Sequence, residues 1–328
     1  MENMKTKSLD MDELQSLLWS FARHRVVTVA SRVGILRLLS EGKKSEKEVA
    51  AELGLDPLAT TKMVRALSAL GLVASDQDGY QAAPSLARYF RTGPNDIAPF
   101  LDHSHHLYDS WGENLEHWLK GKAWETRARD AEGVKKFGEA MQAAAAMVAD
   151  QVVDHLNLRA VRRMLDVGGG VGAYAKAYCR ASADIEAVVL DTERTAALGR
   201  ELIAREGLEA RIRFIGGDYF ETDFGQRFDL VQIANVLHQE TKERAAELVR
   251  RAALALAPGG RLVVVDFSID DAGNENEIGA LFAINMRSFG DTHNEPTLRA
   301  WMANAGLISI IREDIGTIRW MIVGHKPG

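Results

Sequence analysis

Glycine is crowded into one short stretch of this chain, Gly168-Gly169-Gly170-Val171-Gly172, directly after the apolar run Arg163-Met164-Leu165-Asp166-Val167. A backbone without Cβ atoms turns sharply there and lets a ligand come close. A helical pattern over residues 173–179 follows, and its N-terminus offers unpaired N–H groups that suit a carboxylate or other anionic group. Asp166, just before the glycines, is placed to stabilise the turn or orient a ligand's amine. Asp191 ends the next apolar run, 186–190, about 20 residues past the turn, where a carboxylate accepts both hydroxyls of a ribose. A third run, 212–215, leads into Gly216-Gly217-Asp218-Tyr219-Phe220, an acid and two aromatics placed to grip an adenine ring.

Gly168-x-Gly170-x-x-Ala173 also fits a dinucleotide fingerprint. Three features argue against a nicotinamide enzyme. Asp166 precedes the glycines, Asp218 closes the third strand with its own acid, and the chain ends differently. Residues 308–312 and 317–325, joined by a tight Ile315-Gly316 link, read as a hairpin added to a parallel sheet.

The elements that must position these residues differ between the two halves. From Arg162 onward, short β-branched runs alternate with helical patterns, which implies an α/β fold with helices on both faces of a parallel sheet. A fourth strand, 230–233, leads to Ala234-Asn235-Val236-Leu237-His238, and the turn Pro258-Gly259-Gly260 introduces a fifth, 261–266. Residues 1–158 read as almost wholly helical. An amphipathic pattern runs from Leu14 through Leu17, Leu18, Phe21, Val26, Val29, Ala30 and Val33 to Leu36. Ser45-Glu46-Lys47-Glu48 is a capping box for a helix through Leu53, ended by Gly54. Asp56-Pro57 starts a second helix that stops at Gly71, and a hairpin turns around residues 76–79. Helix, turn, helix and wing together make a winged helix-turn-helix.

Composition limits what such a unit can do. The net charge is −6. Residues 1–100 carry 13 basic against 12 acidic residues, and the second helix of the unit offers only Lys62 and Arg65. A duplex is held mainly through neutralised phosphates, so nucleic-acid binding is not expected. The single cysteine, Cys179, excludes an internal disulfide and a cysteine-based metal cluster. His103, His105 and His106 have no carboxylate at convincing ligand spacing, so they read as pocket lining or helix face, and no metal is expected. No apolar run approaches the roughly 20 residues that span a bilayer, and a reducing cytoplasm is the expected compartment.

Asp166-Val167-Gly168-Gly169-Gly170-Val171-Gly172, Asp191, Gly217-Asp218, Val236-Leu237-His238 and Pro258-Gly259-Gly260 together resemble class I S-adenosylmethionine-dependent methyltransferases. With the winged-helix half in front, residues 12–326 are similar to the O-methyltransferase family of plant phenolic and bacterial natural-product tailoring enzymes. The resemblance implies a Rossmann-like, seven-stranded sheet with an antiparallel last strand, preceded by a mostly α winged-helix domain. It implies a winged-helix dimerisation domain over 1–100, a helical linker over 101–158 and a cofactor domain over 159–328. Gly168 and Gly170 would pass beneath the methionine part of the cofactor, Asp191 would bind the ribose, Asp218 and Tyr219 would flank the adenine, and Ala234 would lie nearby. His238 falls at the family's general-base position and would deprotonate a hydroxyl of a small, flat aromatic acceptor. Asp266, at a neighbouring strand end, would orient that imidazole.

The family follows its histidine with Asp-Trp, where this chain has Gln239-Glu240. Thr292 stands where the family often places an acid, with Asp291 beside it. These departures fall on the base machinery and leave the cofactor residues in place. The acceptor is expected between the halves, against His105, Trp111, Phe137, Met141, Phe282, Asn285, Met286 and Phe289. The family's dimer, and the length of the Leu14–Leu36 stripe, predict a homodimer. The alternatives are a tailoring enzyme that uses the cofactor without methylating and a winged-helix regulator sensing a metabolite.

Overall fold

The computed structural model describes residues 9–93, 95–124, 130–267, 277–286, 290–315 and 319–328. The chain divides into two compact units, Met1–Ala144 and Ala145–Gly328.

The first unit contains α1 (Met11–Leu18), α2 (Ser20–Arg32), α3 (Ile35–Glu41), α4 (Glu46–Leu53), α5 (Pro57–Ala69), the hairpin β1 (Val73–Asp76) and β2 (Gly79–Ala82), α6 (Ala87–Phe90), α7 (Ala98–Leu119) and the start of α8 (Ala131–Asp154). The caps read from the sequence are present. The Ser45 side chain accepts from the Glu48 N–H and the Glu48 side chain accepts from the Ser45 N–H, worth about 1 kcal/mol to α4. Asp56 caps α5 with Pro57 at its first position. Ala30, Leu36, Leu39, Val49, Val64, Leu67 and Val73 form the core of the unit. The Leu14–Leu36 stripe is not one helix. It is divided between α1, α2 and α3, and Gly34, in the left-handed region at φ 88°, breaks the helical run before Ile35. Its last part, Ala30 and Leu36, is buried, whereas Leu14, Leu17, Leu18, Phe21 and Val33 are exposed.

The second unit is a seven-stranded sheet. Its elements are β3 (Arg163–Val167), α9 (Ala173–Ala181), β4 (Glu186–Asp191), α10 (Glu193–Arg205), β5 (Ile212–Gly216), β6 (Phe228–Ala234), a 3-10 turn (Leu237–Gln239), α11 (Lys242–Ala255), β7 (Leu256–Asp266), α12 (Glu277–Asn285), α13 (Glu295–Asn304), β8 (Ile308–Glu313) and β9 (Trp320–His325). The strand order is β5-β4-β3-β6-β7-β9-β8, with β9 antiparallel to both neighbours. Side chains alternate between two buried layers. Met164, Val189, Leu230 and Val263 face one with Tyr174 and Tyr178 of α9, while Leu165, Leu190, Val231 and Val264 face the other with Leu248 and Val249 of α11. Gly316 and Thr317, the ends of the expected link and last strand, lie outside the described residues, and β9 is seen from Trp320.

The register does the positioning. Order reverses at β3, so a crevice opens at the carboxyl ends of β3, β4 and β6. Val167 pairs with Leu190 and Ile233, which sets Gly168 beside Asp191 and level with Ala234. Asp191 pairs with Gly216, so Asp218 emerges next to it. Ala234 pairs with Val265 and Asp266 with Trp320, which bring the segment after β6 alongside the end of β7.

Candidate active site

At that crevice lies a cavity of about 440 Å³ lined by Gly168, Asp191, Thr192, Glu193, Gly217, Asp218, Tyr219, Val236, Gln239, Glu240 and Arg244. Four carboxylates face one guanidinium, and that guanidinium is already committed: Arg244 Nε donates to Glu240 Oε2 at 2.6 Å. A cleft so charged repels phosphates and favours a ligand carrying positive charge.

Asp191 is held by two backbone donors, Gly170 N–H to Oδ2 at 2.9 Å and Thr192 N–H to Oδ1 at 2.8 Å. Each oxygen keeps a further lone pair, enough for two vicinal hydroxyls. Asp218 Oδ1 accepts from the Phe220 N–H at 2.7 Å. The Tyr219 phenol donates to Glu240 Oε1 at 2.6 Å, and burial, then this bond, push its pKa upward. Arg244 also lies over the Phe220 ring at 3.8 Å. Gly168 must be glycine: it sits at φ 66°, and a Cβ would stand 2.5 Å from Val236 Cγ2.

Three expected cofactor residues, Asp166, Gly170 and Ala234, do not line the cavity. Asp166 is fully buried beneath the turn, where neither oxygen meets a donor in hydrogen-bonding geometry. Desolvation, reinforced by the Asp191 charge, pushes it up to about 7, and the Gln232 side chain and Ala175 N–H approach closely enough to offset only part of this. Gly170, at φ 60°, serves the cleft by donating to Asp191. Ala234 is buried at the end of β6. Thr192, Glu193, Gln239, Glu240 and Arg244 also line the cleft, where the sequence reading does not place them. The only signal for Glu240 was the break from Asp-Trp after His238, and its contact with Tyr219 spans 21 residues.

The wall continues into a buried pair. His238 Nδ1 and Asp266 Oδ1 are 2.5 Å apart, with side chains 5% and 6% exposed. Phe267 N–H donates to the same Asp266 oxygen at 2.8 Å. With Nδ1 turned to a carboxylate, the neutral ring carries its proton there and presents a bare Nε2. Phe282 stands edge-on to the imidazole at 4.8 Å and stacks on Phe267 at 4.2 Å. Among the described residues, the carboxylate hydrogen-bonded to His238 is that of Asp266. The 290–295 stretch packs against the 3-10 turn: a Cβ on Gly290 would stand 2.3 Å from the His238 carbonyl oxygen, and His293 Nε2 lies 3.2 Å from the Leu237 carbonyl oxygen. Thr292, at the family's acid position, is buried, and Asp291 accepts from the Thr292 N–H.

Of the expected acceptor residues, Phe282 is brought to His238. Asn285 ends α12 and Met286 follows it, half-buried, while Phe289 lies outside the described residues. His105, Trp111, Phe137 and Met141 belong to the first unit. His105 is hydrogen-bonded to Arg25 at 3.0 Å and Thr28 at 3.1 Å, and burial lowers its pKa. Trp111 meets Trp124 edge-on at 6.3 Å, Phe137 meets His103 at 5.5 Å, and Met141 is half-buried on α8. Among the described residues, no group of three or more His, Cys, Asp or Glu is arranged to hold a metal ion, and no helix is long and apolar enough to cross a membrane.

The profile of a family described as "O-methyltransferase domain" matches residues 105–307. Demethylspheroidene O-methyltransferase of Cereibacter sphaeroides is 26% identical over 78% of this chain and 70% of its own length. The 3-hydroxy-5-methyl-1-naphthoate 3-O-methyltransferase of Streptomyces sahachiroi is 24% identical over 96% of this chain and 92% of its own. Among solved structures, human N-acetylserotonin methyltransferase in complex with S-adenosylmethionine superposes with a TM-score of 0.83 at 21% identity, covering 98% of this chain and all of that one. That likeness establishes the fold.

Proposed function

Because the chain belongs to the O-methyltransferase family, whose profile spans more than half of it, we propose that it methylates a hydroxyl of a small aromatic molecule. The methyl donor is S-adenosylmethionine and His238 is the general base. The observation that carries this reading is the buried His238–Asp266 pair, which adjoins in sequence the Gln239 and Glu240 of an acidic, glycine-floored cleft. The cleft fits the donor. Asp191 has the free lone pairs that a ribose needs, Gly168 clears space that any side chain would fill, and the excess of carboxylates suits a sulfonium and an ammonium group. When bound, that cofactor supplies a strongly electrophilic methyl group.

The protein's own task is then to hold the acceptor in line and take its proton. Asp266 fixes the imidazole so that Nε2 carries the lone pair. When Nε2 takes the hydroxyl proton, the new imidazolium faces the Asp266 carboxylate. General-base help of this kind contributes roughly 10²–10⁴-fold. The Phe267–Phe282 stack keeps the ring in a dry setting. A flat aromatic acceptor is supported by the naphthoate relative and by these rings. His238→Ala should bind S-adenosylhomocysteine as the wild type does yet add no methyl mass to any member of a phenolic panel that the wild type methylates. Full transfer by that variant would remove the base assignment.

The exposed apolar residues of α1 and α2, with Trp19 between them, support a homodimer formed through the winged-helix domain. The near balance of charge over residues 1–100 supports a role in assembly and not in binding nucleic acid. The single buried thiol, Cys179, is in keeping with a reducing compartment such as the cytoplasm.

A further inference from the structure

One buried charge has no part in this scheme so far. Arg319 immediately precedes β9 and is only 9% exposed. Its Nε donates to Asn235 Oδ1 at 2.7 Å, and its guanidinium lies over the Phe267 ring at 4.3 Å. The pairing of Asp266 with Trp320 explains the placement: one step further along the antiparallel ladder, Arg319 falls opposite Phe267. Phe267 donates its N–H to Asp266 and stacks its ring on Phe282, which stands against His238. The arginine is thus linked to the His238–Asp266 pair through Phe267.

Charge decides what it does there. A neutral His238 with an ionised Asp266 leaves a carboxylate charge in a buried setting, which is expensive unless a nearby positive charge offsets it. Arg319 balances it. A fixed cation beside the pair favours the ionised Asp266 and disfavours a second positive charge on His238, and a low-dielectric site screens that effect little. Among the described residues, the other titratable groups coupled to the pair include His293, with Asp291 beside it in the stretch before α13, and Tyr174 from α9. Burial lowers His293, so it adds no competing cation near neutrality, and burial pushes Tyr174 up to about 12, so it stays neutral. Burial also lowers Arg319, offset by Tyr174 and Asp266, but a guanidinium starts so high that it remains a cation.

We propose that Arg319 is a positioning residue for the base: its fixed positive charge keeps Asp266 ionised and His238 neutral at working pH. The inference rests on the reading of His238 as base, but its test does not. The His238 imidazole is titrated by NMR in ligand-free protein labelled with ¹³C at histidine Cε1, its signal assigned by its loss in His238→Gln. Arg319→Met should raise the His238 pKa by about half to one unit, the size expected of one charge removed from a partly screened interior. Arg319→Gln, which keeps a donor for Asn235, should do the same and provides the neutral arm if the methionine variant does not fold. Arg319→Lys, which keeps the charge, should titrate close to wild type. Neutral variants that titrate like wild type, or a lysine variant that shifts as far as they do, would overturn the proposal. Full methyl transfer by His238→Ala would remove the base reading while leaving the titration result standing.

Discussion

Replacing Asp266 by asparagine separates the charge of the buried pair from its shape. The carboxylate lies 2.5 Å from His238 Nδ1, and both side chains are about nineteen-twentieths buried, so solvent screens them little. Two unit charges roughly 4 Å apart interact by about 4 kcal/mol at an effective dielectric of about 20. That interaction is absent while the ring is neutral and present once it has taken a proton, so its loss falls on the transition state. An asparagine also offers its NH₂ to Nδ1, which moves the ring proton to Nε2 and fills the lone pair the acceptor needs. Since charge builds only partly by the transition state, about 2–4 kcal/mol is lost, and kcat falls about 30- to 1000-fold. The assay is the rate of S-adenosylhomocysteine release with an acceptor the wild type methylates, alongside calorimetric binding of the same product. Binding should change less than about threefold, because Asp266 does not line the cleft. An Asp266→Asn enzyme that keeps more than a third of the wild-type kcat would refute the reasoning.

Three further outcomes are expected. Burial and the Asp191 charge push Asp166 from 3.8 up to about 7 in the folded protein, so near neutrality the native state holds a proton the unfolded chain releases. Its stability is full below pH 4 and falls as pH rises through 7, by at most about 4 kcal/mol. Asp166→Asn should therefore gain on wild type in urea unfolding at pH 8 more than at pH 5, and an equal difference at both would contradict the burial argument. Gly168→Ala, strained at φ 66° and clashing with Val236, should lose about 1–3 kcal/mol in thermal unfolding and bind the product measurably more weakly; unchanged binding would show that the turn is not part of the site. Light scattering at micromolar concentration should give a dimer for the wild type and a monomer for Leu18→Glu/Phe21→Glu, and a wild-type monomer would remove the assembly reading.

Local chemistry made much of this molecule readable. The Ser45–Glu48 box, Asp56-Pro57, Gly54 and Gly71 mark helix ends by satisfying or breaking backbone bonds within four residues, and each stands where such chemistry requires. The strands were legible because β-branched runs are bounded by turns. Even His238 and Asp266 could be paired in advance, since each follows or ends a strand in a parallel sheet. What stayed hidden depends on distance along the chain. Sequence periodicity carried the apolar stripe straight through Gly34, because a single left-handed residue does not disturb a pattern of leucines. Glu240 and Arg244 became cleft residues only once β5 and β6 brought Tyr219 beside them. Asp166 reads from its place before the glycines as a turn stabiliser or a ligand contact, and only the folded turn shows that it is buried.

Everything rests on a nucleoside being held by the Asp191 carboxylate at the carboxyl end of β4. Titration calorimetry with S-adenosylhomocysteine on wild type and Asp191→Ala measures this directly. Two charge-assisted hydrogen bonds to the ribose, at about 1.5 kcal/mol each or more, predict a dissociation constant at least about 100-fold weaker in the variant. Tight binding that survives the substitution unchanged would place the nucleoside elsewhere and contradict the account.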